Sequence, residues 1–117
     1  MPSSAPLYMP FVPPVSFVPE LTVIPYVVKL NRANFSLWSQ VVETFVAGRG
    51  KLGYLTGRIQ APSSKDVLYE KWSMDNALVK GWLIRAMEPD VMNLFISLPT
   101  TKAIWDVVSQ NYFDRAH

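Results

Sequence analysis

The stretch Tyr69-Glu70-Lys71-Trp72-Ser73-Met74-Asp75-Asn76-Ala77-Leu78-Val79-Lys80-Gly81-Trp82-Leu83-Ile84-Arg85-Ala86-Met87 decides the fold. Tyr69, Trp72, Asn76, Val79, Trp82, Leu83 and Ala86 recur at intervals of three and four, the period of an α-helix, while Leu78 and Ile84 fall on its other sides. A helix apolar on nearly every side is a central one, covered by neighbours in more than one direction. Its start is expected near Ser64 to Asp66 and its end near Met87.

Downstream, Pro89 suits the first turn of a short helix through Val91, Met92, Leu94, Phe95 and Ile96, which Pro99 ends. Thr100 can then cap a further helix that turns Ile104, Trp105, Val108 and Tyr112 inward. Upstream, Asn34 or Ser36 can cap a helix whose stripe is Leu37, Trp38, Val41, Val42, Phe45 and Val46, with Gly48 and Gly50 stopping it. Residues 48–64 read as a loop or a pair of short turns, and Tyr26–Leu30 as a short β-prone run before the turn at Asn31–Asn34. The fold class is therefore all-α: a compact bundle of about four to five helices over residues 26–117. The expected core is Trp38, Phe45, Trp72, Val79, Trp82, Leu83, Phe95, Trp105 and Tyr112. Each Trp falls on an apolar helical stripe, which reads as a core anchor and not as a stacking platform.

Residues 1–25 differ in kind. They hold seven of the ten prolines and a single charged side chain, Glu20. No helix runs through that proline spacing, so an extended arm is expected. It is apolar where a linker would be polar, and Tyr8, Phe11, Phe17, Val18 and Leu21 are its candidate interface residues. Two destinations stay open for it: the surface of its own domain, or a neighbouring copy or other protein.

Composition narrows the function. The 117 residues are one domain's worth, half of them apolar, so a real core can form. Charged residues make up only 17%, below the usual quarter, which leaves apolar surface for a partner. The net charge of +2 is far from the dense basic excess of dedicated nucleic-acid binders. Without cysteine there is no disulfide framework or thiolate metal site, and prolines interrupt each N-terminal apolar run before it reaches signal or membrane-spanning length. A soluble, cytoplasmic protein is expected.

Candidate chemistry is sparse. A nucleophile needs a base, usually His, and the one His is the final residue, His117. The carboxylates are scattered, and Asp66 with Glu70, or Asp75 with nearby cations, are spaced as solvated helix faces. No catalytic residue, metal ligand, cofactor, membrane contact or small-molecule substrate is therefore expected. The run Gly48-Arg49-Gly50-Lys51-Leu52-Gly53 superficially resembles a phosphate loop, but it follows a helix and places Leu52 where Ser or Thr is needed. It reads as a helix terminator with a basic turn. That turn gives the candidate RNA contacts Arg49, Lys51, Arg58 and Lys65, beside the aromatics Phe45 and Tyr54. Four cations supply only weak, salt-sensitive attraction.

Several spaced blocks carry a family likeness. They are Lys29-Leu30-Asn31 with Asn34-Phe35-Ser36-Leu37-Trp38; Gly50-Lys51-Leu52-Gly53-Tyr54-Leu55-Thr56-Gly57; Tyr69-Glu70-Lys71-Trp72 with Asp75-Asn76-Ala77-Leu78-Val79 and Trp82-Leu83; and Lys102-Ala103-Ile104-Trp105-Asp106 leading to Tyr112. In order over about ninety residues, they resemble the N-terminal Gag region of plant copia-type retrotransposons. The resemblance implies a capsid N-lobe that helps form the shell of a virus-like particle, partnered by itself or by other Gag copies. It also implies that RNA capture belongs to a separate zinc knuckle and that further helices follow the last block, so a truncated lobe is expected. A competing role is a peptide- or Gag-binding module built from the same lobe.

Overall fold

The computed structural model describes residues 28–112. Five helices follow in order: α1 (Phe35–Gly48), α2 (Leu52–Thr56), α3 (Tyr69–Arg85), α4 (Pro89–Phe95) and α5 (Thr101–Tyr112). There is no strand among these residues, and the fold is all-α. Of the β-prone run, Tyr26 and Val27 lie outside the described residues. Leu30 forms an isolated parallel bridge with Met87.

α3 is the central element, packing against α4 and α5 and touching α1 through the edge-to-face pair Phe45–Trp82, 5.2 Å between centroids. Asn76, Val79, Trp82, Leu83 and Ile84 are its buried residues, with Glu70 in the first turn and Arg85 in the last, both favourable against the helix dipole. It begins at Tyr69, later than expected. The Asp66 carboxylate accepts from the Leu68 amide at 2.8 Å, a short-range turn that competes with helix before Tyr69.

The end of α3 is closed from far away in sequence. The Ala86 carbonyl, an orphan acceptor at a helix C-terminus, accepts the Leu30 amide at 2.8 Å and the Trp38 indole Nε1–H at 2.7 Å. The Glu88 amide in turn donates to the Leu30 carbonyl at 3.0 Å. Trp38 is fully buried and lies 5.8 Å from Trp105 of α5. Phe45, Val79, Trp82, Leu83, Phe95 and Tyr112 are also buried, whereas Trp72 and Trp105 are partly buried against the same core.

Two capping expectations resolve differently. Asn34 stands at the N-cap of α1 but makes no side-chain cap bond. Its Oδ1 accepts from the Asn31 amide and its Nδ2 donates to the Lys29 carbonyl, so it shapes the preceding turn. Thr100 does cap α5, its Oγ1 accepting the Ala103 amide at 3.0 Å. Beside it, Thr101 is buried and clasped to α3: its amide donates to Asn76 Oδ1 and its hydroxyl to the Asn76 carbonyl, both at 2.9 Å.

Candidate functional site

Residues 48–64, expected as loop or short turns, contain the helix α2. The chain turns into it at Gly50, φ +72°, and leaves at Gly57, φ +88°, both in the left-handed region where glycine carries no Cβ penalty. A Cβ on Gly53 would lie 2.6 Å from Ile59 Cγ1, so the glycine lets the following loop fold back on the helix. The glycine-rich run is thus a packing device, with no phosphate cradle in it.

The basic residues of this region go to different partners. The Arg49 guanidinium lies 3.8 Å from the centroid of the Phe45 ring, a cation–π contact. Lys51 Nζ is 3.7 Å from Asp75 Oδ1 on α3. Arg58 and Lys65 are exposed in the segment after α2.

Asp75 is the centre of a cluster of charge that joins α2 and α3. Besides Lys51, its Oδ2 accepts from Lys71 Nζ at 2.6 Å and from the Tyr54 hydroxyl at 3.0 Å. With only 16% of its side chain exposed, it is a tie between α2 and α3 and not the solvated helix face expected of it. The hydrogen bond from Lys71 holds its carboxyl below the ordinary value; burial opposes this, and the Tyr54 bond and the Lys51 charge reinforce it. Burial pushes the Tyr54 phenol up, helped by Asp75, and the Lys71 ammonium is raised mainly by its bond to Asp75.

The signs define a stability window. A lowered carboxyl stabilises the fold above the carboxylate range and loses that contribution as pH falls below about 4; raised Lys and Tyr groups lose theirs above about pH 10. Tyr54→Phe is expected to lower stability by about 1 kcal/mol at pH 7, and to make the acid loss smaller and end it at a higher pH, because Asp75, with one donor fewer, lies closer to its unfolded value. Urea melts at pH 7 and in the acid range check both; an unchanged acid limb would mean that Tyr54 does not act on Asp75.

Several hollows mark the surface of the described residues. One, of about 270 Å³, lies between α2, α3 and α5 and includes Tyr54, Trp72, Thr100 and Lys102. The Trp72 Nε1–H is buried with no hydrogen-bond partner among the described residues. A second, of about 520 Å³, runs along α1 past Leu37, Val41 and Phe45 to Arg49. A third, of about 310 Å³, is formed on α3 by Ala77, Leu78, Gly81, Trp82 and Arg85. The candidate arm residues Tyr8, Phe11, Phe17, Val18 and Leu21 lie outside the described residues, as does His117.

Among the described residues, no group of three or more His, Cys, Asp or Glu is placed to hold a metal ion, and no helix is long and apolar enough to cross a membrane. The class so defined is an all-helical module in which Asp75 ties α2 to α3. Residues 26–63, about a third of the chain and spanning α1 and α2, match the family described as the Gag-polypeptide of LTR copia-type. The match supports a copia-type Gag region over those residues. No curated protein and no solved structure matches it.

Proposed function

We propose that the chain is a non-catalytic structural module, a Gag capsid N-lobe that associates with copies of itself or of a longer Gag and so contributes to a particle shell. The copia-type Gag match over α1 and α2 is the observation that carries this reading. The surface supports it as well. Leu37 on α1, Leu94 and Ile96 at and just past the end of α4, and Val67, Leu68 and Met74 around the start of α3 are all exposed. Apolar side chains repeated on every copy let weak contacts add up in a symmetric assembly.

Light scattering over a concentration series tests the proposal. An average mass that rises with concentration, and falls back when Leu94 and Ile96 are both replaced by Ser, is the expected result. A strictly monomeric mass at the highest concentration would overturn unaided self-association.

An RNA-binding role has less to draw on. Arg49 is stacked on Phe45 and Lys51 is paired with Asp75, so Arg58 and Lys65 would carry most of the attraction. Only a shallow salt dependence would follow from so few cations. Binding to single-stranded RNA that weakens steeply with salt would reverse that ranking.

A further inference from the structure

The hollows on α1 and α3 are each lined by one ring of a packed pair. Phe45 lines the first and Trp82 the second, and the two pack edge to face. Together they make an apolar track whose linings hold one charged residue each, Arg49 and Arg85, both cationic. The described chain begins at Val28, and Leu30 is bonded to Ala86, the residue that follows Arg85 in sequence. The residues before Val28 are largely apolar and carry one charged side chain, the acid Glu20.

We infer that this α1–α3 track is a binding site for an extended apolar segment, and that its occupant is the chain's own residues 8–24, with Glu20 set against an arginine of the track. Three observations choose that occupant. Its apolar residues Phe17, Val18 and Leu21 suit a lining of Leu, Val, Phe and Trp, and its single carboxylate complements the two guanidinium groups. Glu20 is eight residues from Val28, a reach of at most roughly 29 Å of extended chain, whereas the whole of α1 is only about 21 Å long. Tethered so close, the segment has an effective concentration on the order of millimolar, well above that of another copy's arm in dilute solution.

The inference stands apart from the assembly reading, since a monomer would hold its arm equally well. The absence of native cysteine makes the test direct. A nitroxide placed on the full chain at Ser16→Cys should extinguish the amide signals of Val41, Thr44, Ala77 and Gly81. In a mixture of nitroxide-bearing chain with isotopically labelled chain lacking the nitroxide, those signals should keep their intensity. Leu78→Arg, at a position already 41% exposed, should restore them in the singly labelled chain, and Glu20→Arg should restore them in part, a readout that holds even if the first variant folds poorly. Undiminished amides on α1 and α3, or losses at the α2–α5 hollow instead, would overturn the site. Loss of signal in the mixed sample would overturn the occupant in favour of a second copy.

Discussion

Trp38→Ala is expected to remove about 3–5 kcal/mol, a large part of what a domain this size possesses, and to lower the melting temperature by about 12 °C or more. The indole is fully buried, lies against Trp105 and donates to the Ala86 carbonyl. Its removal opens a cavity between α1 and α5 and takes one donor from the end of α3. Trp82→Ala should fall in the same range, because that ring is 4% exposed and packs edge to face on Phe45. Periodicity alone would place Trp72→Ala beside them. Trp72 is only partly buried and its indole N–H has no partner among the described residues, so its cost should be under half that of Trp38. Thermal melts of the three variants decide the matter; equal losses at all three would mean that the interior is centred on α2 and not on Trp38.

Asn76→Ala is the second large effect, about 2–3 kcal/mol. Asn76 is 8% exposed, and its Oδ1 receives the Thr101 amide while its carbonyl receives the Thr101 hydroxyl. Alanine keeps the backbone acceptor but strands a buried N–H at the start of α5. The loss should be larger than that of Thr101→Val, which removes a donor and leaves the Asn76 carbonyl its place in α3. Urea unfolding of both variants measures the difference, and a milder effect at Asn76 than at Thr101 would assign the clasp to the hydroxyl.

The helices were legible because their apolar residues repeat at three and four, and Pro89 and Thr100 announce starts by chemistry local to them. Periodicity overstated burial, however. Leu37, Leu94 and Ile96 sit on or beside the right stripes yet are exposed, since a stripe marks which way a helix faces and not how wide its neighbour is. α2 escaped notice for a different reason: five residues carry barely one period, and the glycines around it signal turn. Asp75 looked solvated because its Lys51 and Tyr54 partners lie more than twenty residues away in sequence. The closure of α3 by Leu30 and Trp38 left no mark in the α3 sequence, because both donors come from the other end of the chain. For the candidate contacts, spacing brought Arg49, Lys51, Arg58 and Lys65 together on paper. The fold assigns the first two to Phe45 and Asp75 and leaves the others exposed.

The Ala86 carbonyl has one further consequence, which is mechanical. Tension on the chain ahead of Val28 passes through Val28, which packs on the core, to Leu30, whose amide and carbonyl bonds to Ala86 and Glu88 run side by side. Because the same oxygen also holds the Trp38 indole, a tug on the N-terminal tether is delivered straight to the most deeply seated ring of the domain.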